Sequence, residues 1–236
     1  MKKIAVIIPC YNEAKSIAKV INKFPRNDKL ASYGLNIQIF VVDNNSNDDT
    51  AKIAIKAGAT VISEPKKGKG NALKTGFANI PNDINYIVII DGDSTYNPKE
   101  LLRMVEPLYN DFADVVIGSR MGGKMNDGSM NLLNLMGNRI FTYLVRNIYG
   151  TNVTDALSGY YACKNKTINH LYPYLISDGF TIEIEMITKM ARLGYCITSV
   201  PITYNKRTGK SNLKPIKDGA CIMYMFFQNL FWKSEK

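Results

Sequence analysis

A chain of 236 residues, 46% apolar and 21% charged, can bury a real core as one large or two small domains; this excludes a disordered or fibrous chain. Its formal charge of +10 is lopsided: residues 1–120 hold 16 basic and 13 acidic groups, residues 121–236 hold 14 and 7. A basic surface attracts phosphorylated substrates, anionic lipid or nucleic acid, and charge alone does not choose among them.

The first half alternates strand and helix signals. Residues 4–9 form an apolar run too short for a signal-peptide core and read as a buried strand. A helical period follows over 16–24, a second buried strand over 37–43, a helix over 49–57 and a short strand over 60–63. Another helix is expected over 70–77, a third strong strand over 86–91, a helix with proline at its start over 98–109, and a strand over 114–119. This alternation predicts an α/β fold with a mainly parallel sheet. The second half is less regular. Residues 121–129 are glycine-rich and read as a mobile loop, 131–149 as a long helix carrying Arg139 and Arg146, and 160–164 as a strand. A helix over 181–193, a strand over 196–204, a basic loop over 208–213 and a helix over 215–232 complete the chain. No run approaches the roughly 20 apolar residues of a membrane-spanning helix; residues 220–232 come nearest and contain Gln228 and Asn229.

Ligands of such sheets bind beyond the carboxyl ends of the strands. There lie Pro9-Cys10-Tyr11-Asn12-Glu13, Asp43-Asn44-Asn45-Ser46 and Asp91-Gly92-Asp93. Two aspartates one residue apart after a strand suit a hard cation, Mg²⁺ or Mn²⁺, with a diphosphate completing the shell. A plain Asp-Gly turn is the alternative. Asp43 can accept hydrogen bonds from a base or ribose, or cap the next helix. Lys66-Lys67-Gly68-Lys69-Gly70-Asn71 leads into a helix whose N-terminus favours phosphate, without Walker A spacing. The four cysteines have no metal spacing and read as reduced, buried thiols of a cytoplasmic protein. The single His170 carries no catalytic signature.

Eight segments resemble the family-2 inverting glycosyltransferases, and most closely their dolichyl- or polyprenyl-phosphate hexosyltransferase branch. They are the three rim segments, the second extended through Thr50, then Gly68-Lys69-Gly70-Asn71-Ala72, Gly118-Ser119-Arg120, Asp155-Ala156-Leu157-Ser158-Gly159-Tyr160, residues 179–186 and residues 207–213. The resemblance implies a glycosyltransferase A fold in one domain. Residues 1–120 would bind the nucleotide-sugar, 121–214 the acceptor, and 215–236 would form an amphipathic helix. Pro9, Tyr11, Asn12, Glu13, Val42 and Asp43 would hold the nucleoside. Asp91, Gly92 and Asp93 would hold ribose, diphosphate and metal, with Lys69 beside them. Arg120 and Arg139 would face the acceptor phosphate, and Arg207 and Lys210 would close over the donor diphosphate. Asn44 and Thr95 depart from the family pattern where relatives carry a second aspartate and a glutamine.

An ionised lipid phosphate needs no strong general base, whereas a hydroxyl acceptor does, and Asp155 and Glu185 are the candidates. Glu183 and Glu185, two apart on a helix, do not share a face. The reading is therefore an enzyme moving a hexose from a GDP- or UDP-sugar to a polyprenyl or dolichyl phosphate, peripheral at the cytoplasmic membrane face. Its aromatic C-terminal helix would meet a membrane surface or a membrane-protein partner. A soluble enzyme acting on a glycan, glycerate or protein hydroxyl is the alternative. A non-catalytic nucleotide-sugar-binding module is a third reading, against which the intact Asp91/Asp93 pair argues. No stacked-aromatic basic motif points to nucleic acid.

Overall fold

The computed structural model describes residues 1–209 and 213–234. Its centre is a seven-stranded sheet formed by β1 (Lys2–Cys10), β2 (Leu35–Asp43), β3 (Thr60–Ser63), β4 (Tyr86–Ile89), β5 (Val115–Met125), β6 (Tyr161–Lys164) and β7 (Ile197–Tyr204). The spatial order is β3-β2-β1-β4-β6-β5-β7, and β6 runs antiparallel to both of its neighbours. Successive side chains of a strand point to opposite faces. In β1, Ala5 and Ile7 therefore join one apolar cluster while Ile4, Val6 and Ile8 join the other. That double burial is why β1, β2 and β4 read as continuous apolar runs.

Helices cover both faces. On one side lie α4 (Lys69–Asn79), α6 (Leu132–Tyr149), α8 (Ile182–Arg192) and α9 (Pro215–Leu230), contributing Phe77, Phe141, Ile187 and Phe226. On the other lie α1 (Ile17–Asn22) and α5 (Leu101–Tyr109), contributing Val20, Met104 and Val105. The connection after β1 leads outward to β2 and β3, and the chain then returns to place β4 on the other side of β1. The crevice between the ends of β1 and β4 is thus the point where strand order reverses, the place where such sheets bind ligands.

Three expectations change. Residues 121–129 are not simply a loop: β5 runs on to Met125, pairing Lys124 with Thr203 and Met125 with Tyr204 after a break in register. Gly123 serves close strand approach there, since a side chain would collide with the Ile202 backbone. The helix α3 (Thr50–Lys56) stands where a helix was expected, whereas α2 (Asn27–Ala31) and, after β6, α7 (Asn165–Leu171) were not expected; α2 spans little more than one turn. Of the cysteines, Cys10 and Cys163 are buried, but Cys196 and Cys221 are exposed. His170, on α7, shares a 2.6 Å hydrogen bond between Nδ1 and the Tyr195 hydroxyl.

Gly76 brings α4 onto the sheet, and a β-carbon there would lie 2.8 Å from Ile7 Cγ2 and 3.2 Å from Val42 Cγ2. Gly76→Val is expected to cost about 1–3 kcal/mol through overpacking, more than the helix propensity it gains, as read by urea denaturation.

Candidate active site

A cavity of about 370 Å³ opens at the β1/β4 switch point. Pro9, Tyr11 and Glu13 line it from the end of β1, Asp91, Gly92 and Asp93 from beyond β4, and Lys67 and Lys69 from the entry to α4. Phe180 and Arg207 close the opposite side. A second cavity of about 500 Å³ shares Lys69, Asp91, Asp93, Phe180 and Arg207 with the first. It runs from Arg120 between the apolar side chains of α6 and α9.

The carboxylates where the two cavities meet are paired with two cations. Lys69 Nζ lies 2.6 Å from Asp91 Oδ1 and 2.6 Å from Glu183 Oε1. Burial opposes the lysine charge, but these two carboxylates overcome it and hold Lys69 well above the ordinary lysine range. Arg207 lies 2.8 Å from Glu13 Oε1 and 3.3 Å from Asp93 Oδ2. Burial pushes the carboxyls of Glu13 and Glu183 upward, and Arg207 and Lys69 pull them back. Asp93 is raised by burial first and by Asp91 second.

The two aspartates are held differently. Asp93 Oδ1 accepts hydrogen bonds from the Thr95 amide (3.0 Å) and hydroxyl (2.6 Å), leaving Oδ2 turned toward the cavity and Arg207. Thr95, one of the departures from the family pattern, thus orients Asp93. Asp91 is shared with Lys69 and packs on Gly159, where any side chain would collide with it. The Gly159 amide donates to the Tyr96 hydroxyl at 2.7 Å. The donor set fits a hard divalent cation: Asp93 Oδ2 faces the cavity beside Arg207 and Asp91 adjoins it, although no group of three metal-binding side chains occurs among the described residues. Diphosphate oxygens would have to complete the shell.

Asn44, the other departure, is committed to the loop. Its Nδ2 donates to the carbonyls of Glu64 (3.2 Å) and Lys66 (2.6 Å), and its Oδ1 accepts from the Gly68 amide at 2.7 Å. An aspartate could not donate to those carbonyls. Asn44 therefore positions Lys67 and Lys69 at the cavity. Lys67 in turn donates to the Tyr11 hydroxyl at 2.8 Å.

Several expected residues stand elsewhere. Asn12, at φ 58°, stitches two rim loops: its amide donates to Ser46 Oγ (2.9 Å) and its Oδ1 accepts from the Asn47 amide (2.8 Å). Val42 is core, against Gly76. Asp43 does not line the cavity, but its Oδ1 is buried at the rim without a hydrogen-bond partner. Arg120 lines the second cavity and is gripped by Asp155, with Nε 2.8 Å from Oδ2 and an Nη 2.7 Å from Oδ1. Asp155 is fully buried and also accepts from Asn138 Nδ2 at 2.5 Å. With both oxygens occupied it positions Arg120 instead of serving as a base. Glu185 faces away from the cavities: it accepts from the Ile176 and Ser177 amides and lies 2.6 Å from Lys189 Nζ. Glu183 is the one that faces the site. The Glu185–Lys189 spacing of four was the available sequence signal for this. Arg139 is exposed and outside both cavities. Lys210 lies outside the described residues.

The profile described as "Glycosyl transferase family 2" matches residues 5–171, and the chain belongs to that family. It is 36% identical over 227 residues to Glycosyltransferase AglJ of Haloferax volcanii, covering 95% of this chain and 71% of AglJ. It is 32% identical to a dolichyl-phosphate hexose transferase of the same organism, covering 93% and 90%. An undecaprenyl-phosphate mannosyltransferase of Micrococcus luteus is 30% identical, covering 87% and 84%. Among solved structures, glucosyl-3-phosphoglycerate synthase from Mycobacterium tuberculosis, in complex with Mn²⁺, UDP and glucosyl-3-phosphoglycerate, superposes with a TM-score of 0.75 at 23% identity, covering 99% and 82%. The fold is thus the glycosyltransferase A type.

Three variants test this geometry. A carboxyl raised as Asp93 is supports the fold while protonated, below the ordinary aspartate range, and costs stability once ionised above its raised one. Asp93→Asn is therefore expected to raise the melting temperature of the donor-free protein at pH 7 while turnover falls by on the order of a hundredfold. Glu183→Gln should lower turnover by on the order of tenfold, the loss of one charged hydrogen bond. Glu185→Gln should lower stability to denaturant and leave turnover per folded molecule nearly unchanged.

Proposed function

We propose that the chain transfers a hexose, with inversion, from a GDP- or UDP-sugar to a polyprenyl or dolichyl phosphate at a membrane surface. The observation that carries this reading is the pair of joined cavities. One is walled by the switch-point rim; the other has Arg120 among apolar side chains of α6 and α9 that open to solvent, including Leu133, Met136, Ile140 and Ile216. A phosphate bearing a long apolar chain matches a guanidinium at the head of an apolar groove. The names of the relatives that act on dolichyl and undecaprenyl phosphate support the same acceptor class.

In the reaction a phosphate oxygen of the acceptor attacks the anomeric carbon. The bond from that carbon to the diphosphate oxygen breaks, and the nucleoside diphosphate leaves with the electron pair. Pro9 and Tyr11, which line the first cavity from the end of β1, suit the nucleoside. The Lys67–Lys69 entry to α4 and Arg207 suit the diphosphate. Lys69, Asp91 and Glu183 form a polar cluster of donors and acceptors able to hold hexose hydroxyls. Arg120, fixed by Asp155, draws in the acceptor phosphate. A divalent cation on Asp93, with Asp91 adjoining, would neutralise charge on the leaving diphosphate.

Among the described residues, Asp91, Asp93 and Glu183 are the carboxylates lining the second cavity, and each is paired with Lys69 or Arg207. That favours an acceptor already ionised over a hydroxyl needing a base. No helix among the described residues is long and apolar enough to cross a membrane. Exposed Leu132, Tyr143, Tyr224 and Phe231, with exposed Arg139 and Arg146 nearby in sequence on α6, suit a peripheral contact with anionic lipid.

The test is release of nucleoside diphosphate from GDP- and UDP-sugars with Mn²⁺ or Mg²⁺, with and without polyprenyl phosphate. Release at least about tenfold faster with the lipid, and lost in Arg120→Met, is expected. Lipid-independent transfer to a glycerate or glycan hydroxyl would replace this reading.

A further inference from the structure

Arg207 lies against the Asp93 oxygen that faces the cavity. Asp93 Oδ1 is committed to Thr95, so Oδ2 is the oxygen left for a cation, and Arg207 lies 3.3 Å from it. The same guanidinium also holds Glu13, at 2.8 Å. Its backbone is anchored on the aspartate loop: the Asn205 amide donates to the Thr95 carbonyl (2.7 Å), the Thr208 amide to the Asp93 carbonyl (3.3 Å), and Tyr96 forms an isolated bridge with Tyr204. Arg207 is therefore held beside Asp93 whether or not the two side chains are paired. An intramolecular cation kept so close is at high effective concentration.

The charge balance points the same way. Glu13, Asp91, Asp93 and Glu183 are paired with Lys69 and Arg207, four negative charges against two positive. One divalent cation would make up the difference. A bound diphosphate would then offer Arg207 other oxygens, in the fork geometry that guanidinium groups favour.

Resting on the metal-dependent reading above, we infer that Arg207 is a resident counter-ion that competes with the divalent cation for Asp93 until a nucleoside diphosphate arrives. Arg207 is then the residue that couples metal binding to donor binding. Without nucleotide it weakens metal binding; with nucleotide it turns to the diphosphate and leaves Asp93 Oδ2 to the metal. The coupling is reciprocal, so metal and nucleotide each tighten the other.

The experiment is Mn²⁺ binding to the full chain at fixed pH, by calorimetry or by the electron paramagnetic resonance signal of free Mn²⁺, without nucleotide and with saturating UDP or GDP. It compares wild type with Arg207→Met, Arg207→Gln and Arg207→Lys, each checked for folding by thermal melting. Removing the charge in Arg207→Met or Arg207→Gln is expected to tighten nucleotide-free Mn²⁺ binding by about fivefold or more. The factor by which nucleotide tightens Mn²⁺ should shrink in both, and Arg207→Lys should stay near wild type. Most mutations at a ligand site weaken binding, so a tightening is not a result that damage to the site would produce. Mn²⁺ binding to Arg207→Met and Arg207→Gln that is unchanged or weaker without nucleotide would overturn the inference. So would a tightening in Arg207→Lys equal to theirs. A wild type that binds Mn²⁺ under neither condition would overturn the metal-dependent reading itself, and this inference with it.

Discussion

The site depends on placing carboxylates together in a largely buried crevice and answering them with cations. Asp91 and Asp93 stand beyond β4 because an apolar strand buried on both faces must end somewhere, and its end meets the end of β1 at the switch point. Like charges so close repel, and burial penalises each one. Lys69 and Arg207 make the arrangement tolerable. The first comes from the entry to a helix, the second from a segment bonded back onto the aspartate loop. The raised carboxyls of Glu13, Asp93 and Glu183 are what remains uncompensated. A cavity left short of positive charge is suited to a metal and a diphosphate arriving together.

Around that centre the protein is a set of supports. Asn44 uses both its donors and its acceptor oxygen to hold the lysine-bearing loop, and Thr95 turns Asp93. Asp155 and Asn138 hold Arg120 at the head of the second cavity, in an arrangement where removing either charge would leave the other buried and unpaired. Glu185 and Lys189 form a similar buried pair on the far side of α8, with the Tyr174 carbonyl accepting from the lysine. Two departures from the family pattern, Asn44 and Thr95, thus have local structural reasons.

The joined cavities differ in chemistry. The first is lined by the charged side chains of Glu13, Lys67, Lys69, Asp91, Asp93 and Arg207. The second is walled by two helices whose apolar faces are only partly covered by the core. The same helices, α6 and α9, pack through Phe141, Val145, Ile222 and Phe226 against the sheet side and turn Leu132, Tyr143, Tyr224 and Phe231 outward. Family membership, the fold and the catalytic class rest on the matched relatives; the acceptor and the metal are the readings this geometry supports.

Most of the strands and longer helices were legible in the sequence, because a doubly buried strand and an amphipathic helix leave patterns within a few residues. So was the set of rim motifs, since parallel strands send their carboxyl ends to one side. The antiparallel direction of β6, the extension of β5 past its glycines and the short helices α2 and α7 were not, because pairing partners and short helices leave little period. Within the site, residue types could be read but not their directions. Because α8 is buried all round, no apolar phase separates Glu183 from Glu185, and the spacing of four between Glu185 and Lys189 was the one local signal. That Glu183 meets Lys69 was decided by packing alone. Likewise the chain alone named Arg120 and Asp155 as separate candidates, and tertiary structure joined them. Local pattern determines which elements form and where charges end up along the chain; long-range burial decides which of those charges must pair, and therefore which remain for chemistry.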